Sequence, residues 1–324
     1  MSLCLIFFGT SSDYSQIPLL KLSAHHRIVG VVESGERDCQ TEGLTFFDKG
    51  REALYGLNGM PSLWWYARRR KLPYFYLCRG HEPDLAAFMR GIEHDVGVVA
   101  SFNQKLPAEI LNIPSRGIVN FHPSLLPKFR GPFTWFWEYY ENEREGGATV
   151  HFLDEGEDTG DIIHQATYPI PPGMPPQELQ LKAIALGCDL LVSALDDIEK
   201  GSVKRVPQRD KPCPRRARYL KPGEDLFAWQ NWDIEHSFHF LAGVYPWYRA
   251  INTSHGWAGR LPWRATGYQV CGVDAPGKIG WDWHGVYFAH SEGKIRLKSI
   301  IPRERIFLWI GLLAALALAF FMPH

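Results

Sequence analysis

The chain has 324 residues, 45% of them hydrophobic and 22% charged, with 35 Lys/Arg balanced by 35 Asp/Glu. That length accommodates two domains with well-buried cores, and the balance gives no overall charge to draw in a polyanionic or polycationic partner. Six scattered cysteines (Cys4, Cys39, Cys78, Cys188, Cys213, Cys271) lack any CxxC spacing, which argues against structural zinc and a secreted disulfide framework, and for a reducing compartment.

The chain opens with "LCLIFF", Leu3 to Phe8. The run is too short for a signal peptide and lacks a basic flank, so it reads as a first buried strand. Further strands are predicted at 27–33, 74–77, 96–100, 118–121, 148–153 and 162–170, and helices at 16–24, 82–91, 132–142 and 176–200. Near-continuous apolar strands alternating with helices indicate an α/β domain built on a doubly wound, mostly parallel sheet. Gly9 in "FFGTSS" stands at a strand-to-helix turn, but no GxGxxG follows and a dinucleotide site is not supported. Residues 34–72 read as an excursion with a short helix.

This first domain is expected over residues 1–203, followed by a Pro/Arg/Lys-rich linker over 204–222. From 223 to 302, one helical stretch and short strand-like runs broken by glycines suggest a small β-barrel with a helix. The stretch from Arg205 to Arg305 carries sixteen Lys/Arg against nine Asp/Glu, a local excess that favours phosphates, RNA or an anionic surface. The last run, Ile306 to Met322, is uncharged and follows Arg303 and Arg305. It is expected to form a tail helix that anchors in a membrane, with the preceding domains on the cytoplasmic side.

The chemistry concentrates at the end of the 118–121 strand, in "VNFHPSLLPKFRG". Asn120 and His122 are two apart, so they project from one strand face, at the carboxyl edge where open α/β sheets bind ligands. "LDEGEDTGDII" begins at Leu153, and Asp158 on that loop reaches His122 if the two strands are neighbours. A carboxamide, an imidazole and a carboxylate at one mouth suit acyl transfer to an amine without a protein nucleophile. A metal site among Asp154, Glu155, Glu157, Asp158 and Asp161 fails the EF-hand spacing, and Ser124 lacks the GxSxG elbow of a serine nucleophile.

The pairing of "NFHPSLLPKFRG" with the Asp of "GEDTGD" resembles the 10-formyltetrahydrofolate-dependent formyltransferases. These include the glycinamide ribonucleotide, methionyl-tRNA and amino-sugar enzymes and a formyltetrahydrofolate dehydrogenase domain. The resemblance implies a Rossmann-like catalytic domain with an OB-like second domain, Asn120, His122 and Asp158 as catalytic groups, and no metal. It implies a folate pocket walled by Phe102, Asn103, Leu106, Ser124, Leu125, Leu126, Pro127, Asp154 and Gly156. Gly9, Thr10, Arg130 and Gly131 would meet the acceptor, and Lys128 and the Ala67–Arg70 run are further candidates for a nucleotide diphosphate.

The acceptor is open on the sequence. Pro123 stands where methionyl-tRNA formyltransferases usually carry Gly, and the segment after Glu33 is not the Lys/Arg-rich insertion of that family. "HPSLLP" and "GATVHFLDEGEDTGDII" are closer to the amino-sugar enzymes, which favours a small nucleotide-linked amine. Initiator methionyl-tRNA, met through the basic second domain, is the alternative. A purine-biosynthetic acceptor, whose enzyme resembles a single domain and leaves the residues beyond 207 unaccounted for, a membrane-tethered folate-binding module without catalysis, and folate hydrolysis without transfer complete the readings.

Overall fold

The computed structural model describes residues 2–34, 62–208, 215–251 and 263–299. The chain divides into two compact units, one of 1–170 with 177–220, the other of 171–176 with 221–324. The first unit therefore extends through Leu220, beyond the 203 expected from composition.

The first unit is a seven-stranded sheet in the order β3-β2-β1-β4-β5-β6-β7. Its strands are β1 (Cys4–Gly9), β2 (Arg27–Ser34), β3 (Tyr74–Leu77), β4 (Val96–Ala100), β5 (Ile118–His122), β6 (Glu145–Phe152) and β7 (Ile162–Pro169). The first five run parallel, and β6 and β7 add an antiparallel edge. The helices between them are α1 (Asp13–Leu22), α2 (Leu63–Arg70), α3 (Glu82–Arg90), α4 (Ala108–Leu111) and α5 (Thr134–Tyr140), and α6 (Pro176–Lys200) follows β7.

Strand alternation explains why both faces are covered. Leu5 and Phe7 of β1 join a core with Leu19 and Leu22 of α1, Tyr66 of α2 and Leu191, Leu195 and Ile198 of α6. Ile6 and Phe8 join the opposite core with Leu85 and Met89 of α3 and Ile110 of α4. The long helix α6 comes close to β5 at Gly187, where any side chain would collide with the Phe121 ring. That approach keeps β5, which carries the candidate chemistry, fully buried along its length.

The second unit contains α7 (Ile234–Gly243) and a four-stranded antiparallel sheet in the order β8-β11-β10-β9. These strands are β8 (Trp263–Val270), β9 (Ile279–Asp282), β10 (Gly285–His290) and β11 (Gly293–Ser299). Among the described residues this is an open sheet and not a closed barrel. Its core is aromatic: Phe227 lies 5.2 Å from Phe288 and stacks on Phe240 at 6.1 Å. Some of the region's basic charge is internally matched, since Asp282 accepts from Lys294 at 2.8 Å and from Arg296 at 2.6 Å.

Three expectations change or fall outside view. Within the expected 204–222 linker, the described residues up to Leu220 belong to the first unit: Val206 exchanges backbone hydrogen bonds with Ile162, and Ala217 with Arg130 and Phe133. Cys4, Cys188 and Cys271 are free, and Cys39 and Cys213 lie outside the described residues. The Ile306–Met322 run lies outside the described residues, and among those described no helix is long and apolar enough to cross a membrane.

Candidate active site

Asn120 and His122 emerge from β5 on one side, as period-two geometry requires, and both are buried. The chain then turns back through 123–131. In that turn the His122 Nε2–H donates to the Phe129 carbonyl at 3.0 Å. A carbonyl only accepts, so Nε2 carries the hydrogen and Nδ1 is the atom directed to the neighbouring loop.

The antiparallel partner strand adds a residue that sequence reasoning missed. Register sets His151 of β6 opposite Asn120. His151 is completely buried and donates from Nδ1 to the Phe152 carbonyl at 2.7 Å. Its Nε2 is therefore the lone-pair nitrogen in the neutral ring, and it accepts from Asn120 Nδ2 at 3.1 Å. A histidine inside the otherwise apolar "ATVHFL" is the signal that marks it.

The loop between β6 and β7 brings Asp158 over both groups. Its Oδ2 accepts from the Gly131 N–H at 2.8 Å and lies 3.5 Å from His122 Nδ1. Its Oδ1 lies 3.4 Å from Asn120 Nδ2 and 3.7 Å from His151 Nε2. Asp158 holds a left-handed backbone (φ 53), and Gly131 adopts φ +112 with Ala217 against its α-carbon. A side chain at Gly131 would be strained and crowded, and the N–H that anchors Asp158 would move.

The charges follow from this geometry. Burial lowers the His122 pKa and outweighs Asp158, which raises it, so the imidazole is neutral near pH 7. Burial alone would raise the Asp158 carboxyl, but it is held well below the usual range: a proton on His122 or His151 lowers it, and the Gly131 N–H lowers it in either case. The resting pair is thus an ionised carboxylate beside a neutral ring. The Gly131 N–H favours the anion whether or not the imidazole takes a second proton.

These groups open into a cavity of about 620 Å³, within the usual range for small-molecule sites. Of the predicted pocket residues, Phe102, Asn103, Leu106, Gly131, Asp154 and Gly156 line it, together with Asn120, His122 and Asp158. Phe102 packs edge-on to Phe8 at 5.7 Å, and the Asn103 N–H donates to Ser34 Oγ at 3.0 Å, which fixes that wall. Asp154 braces its own loop by accepting from the Gly156 N–H and the Thr159 hydroxyl. Among the described residues no group of His, Cys, Asp and Glu could hold a metal ion.

The other predicted residues are placed elsewhere. Ser124, Leu125, Leu126 and Pro127 are not among the lining residues. They build the turn: Thr149 Oγ1 donates to the Ser124 carbonyl and accepts from the Leu126 N–H, and Leu125 packs against Gly147. Gly9 and Thr10 lie at the end of β1, with Thr10 bonded to Ser15 and near Ser12 and Ser101. Arg130 donates to Gln208, and Lys128 to Glu143. Arg68, Arg69 and Arg70 lie over Trp64, Trp65 and Tyr66 of their own helix, one turn away. Conversely, Tyr14, Trp135, Arg216, Arg218 and Tyr219 line the cavity without having been foreseen.

Known proteins resemble this chain over the unit that contains the cavity. The family described as formyl transferase matches residues 7–195. The methionyl-tRNA formyltransferase of Synechococcus sp. (strain JA-3-3Ab) is 33% identical over 232 residues, covering 70% of this chain and 67% of its own. That of Pelotomaculum thermopropionicum is 30% identical over 244 residues, covering 75% and 72%. Among solved structures, the N-formyltransferase from Helicobacter canadensis with folinic acid and dTDP-3-aminofucose aligns with TM-score 0.59 at 15% identity, covering 92% of this chain and 99% of that chain. WlaRD, a sugar 3N-formyl transferase, aligns with TM-score 0.61 at 16% identity, covering 93% and 99%. At these identities the structural likeness concerns the fold.

Proposed function

This chain belongs to the formyl transferase family, and from that premise we propose that it transfers a formyl group from 10-formyltetrahydrofolate to a primary amine on a small, nucleotide-linked amino sugar. The observation that carries the reading is the convergence of Asn120, His122 and Asp158 within 3.5 Å contacts at one cavity wall. The cavity also fits the donor. Val99, Phe102, Leu106 and Leu111 offer an apolar wall for a pterin ring, and the 153–158 loop offers polar backbone beside it.

The bound folate supplies an electrophilic formyl carbon; the chain supplies the proton handling and charge stabilisation. Asn120 holds its 3.1 Å bond to His151 with one amide hydrogen, and the hydrogen in the long 3.4 Å contact to Asp158 turns to the developing oxyanion. As the amine nitrogen bonds to the formyl carbon it becomes positively charged, and neutral His122 accepts its proton at Nδ1. Asp158 stabilises the imidazolium so formed. His122 then returns that proton to the leaving nitrogen as the carbon–nitrogen bond to the folate breaks, so protons balance without a protein nucleophile.

Two observations divide the acceptor readings. The structural neighbours that extend over both units include sugar N-formyltransferases, and Pro123 departs from the usual His-Gly of the tRNA enzymes. The methionyl-tRNA relatives favour initiator tRNA as the second reading. Incubation of the purified chain with 10-formyltetrahydrofolate and, separately, nucleotide amino sugars or charged tRNA tests both by which acceptor gains one formyl mass. Formylation of tRNA alone would overturn the sugar reading, and loss of formyl from folate with no acceptor modified would overturn transfer. Attachment through Ile306–Met322 rests on sequence alone, and resistance to carbonate extraction from membranes tests it.

A further inference from the structure

Val206 and Gln208 lie in a stretch with the composition of a linker, yet their contacts lead to the catalytic loop. Val206 pairs with Ile162 through both backbone hydrogen bonds, which sets Gln208 inside the fold at 4% exposure. The Gln208 carboxamide spans two loops. Its Oε1 accepts from Arg130 Nε at 3.3 Å and Nη2 at 2.9 Å. Its Nε2 donates to the carbonyls of Asp158 at 3.1 Å and Gly160 at 2.6 Å. A guanidinium only donates and a carbonyl only accepts, so a single orientation of the amide satisfies all four contacts.

Those contacts bear on one bond. The shortest hydrogen bond of the Asp158 carboxylate comes from the Gly131 N–H. Gln208 grips the backbone of the acceptor residue and, through Arg130, the residue immediately before the donor. Asp158 also sits in a left-handed backbone conformation that a non-glycine residue keeps only when its surroundings impose it.

We propose that Gln208 is a positioning residue that holds the Asp158 carboxylate against His122 by tying the 130–131 turn to the 158–160 loop. The inference rests on the formyl-transfer reading only where its readout is turnover. Besides Asp158, the charged or titratable groups facing His122 are His151 and Glu157, and neither bonds to Gln208.

The test uses the full chain with Gln208→Met, which keeps length but not hydrogen bonding, and Gln208→Asn, which keeps the amide but shortens its reach. The His122 imidazole is titrated by NMR, its resonance assigned by loss in His122→Asn. Both variants are expected to move the His122 midpoint downward, because the carboxylate that raises it recedes. In turnover, Gln208→Met is expected to lower kcat at least ~10-fold in the wild-type background and less than ~2-fold when Asp158→Asn is already present. An unchanged His122 midpoint, or equal losses in the two backgrounds, overturns the proposal. If the wild-type chain transfers no formyl group but the His122 midpoint still moves, the transfer reading fails and the positioning role stands.

Discussion

Asn120 and His151 face each other across the β5–β6 pair, and the amide of the first donates to the lone-pair nitrogen of the second at 3.1 Å. One of the two Asn120 hydrogens is thereby fixed, and the other, in a long 3.4 Å contact with Asp158, is left to turn toward the cavity. His151→Phe removes the acceptor from a fully buried position and leaves the Asn120 amide with only its long 3.4 Å contact to Asp158. The expected result is a loss of about 1–3 kcal/mol of stability in urea unfolding, with a fall in kcat. Unaltered stability and turnover would contradict this role.

The proton-accepting role of His122 sets the sign of a pH profile. Burial lowers its pKa, so with saturating amine kcat should rise on the acid side, with a midpoint below the ordinary value of about 6.5, and be flat through neutrality. Asp158 is the principal group that raises the His122 value, so Asp158→Asn should shift that limb further toward acid while lowering the plateau. An acid limb centred above neutrality would contradict a neutral resting imidazole.

Glu138 on α5 is buried at 2% exposure with one oxygen unpartnered, and burial, aided by Glu143, pushes its pKa up to about 8. Because the folded state favours the protonated acid, stability is greatest below the unfolded value and declines as pH rises from about 4.5 toward 8. Glu138→Gln should therefore leave stability at pH 4 nearly unchanged and raise it by roughly 3 kcal/mol at pH 7. Chemical denaturation at the two pH values measures this, and an equal effect at both would contradict it.

What the sequence reveals and what it conceals divide along physical lines. Asn120 and His122 are legible because strand alternation places them together, and Asp158 because its loop follows a neighbouring strand. His151 is concealed because its role comes from antiparallel register, which a single strand does not specify. Val206 and the 215–219 stretch read as linker because much of their attachment runs through backbone atoms, to Ile162, Phe129 and Arg130, and backbone pairing leaves little trace in composition; Gln208 is concealed because its amide meets two backbone carbonyls and a distant arginine. For Arg130 and the Arg68–Arg70 run the sequence shows the charge but not its local partner: the first donates to a glutamine and the others lie over aromatic rings of the same helix.

The central claim is that Asn120 and His122 perform formyl transfer, and single-turnover transfer from 10-formyltetrahydrofolate to the acceptor tests it most directly. Asn120→Ala and His122→Ala should each slow the step by about 10²-fold or more, while both variants melt cooperatively and bind a non-reactive folate analogue with near wild-type affinity. Transfer by both folded variants at close to the wild-type rate would contradict the account.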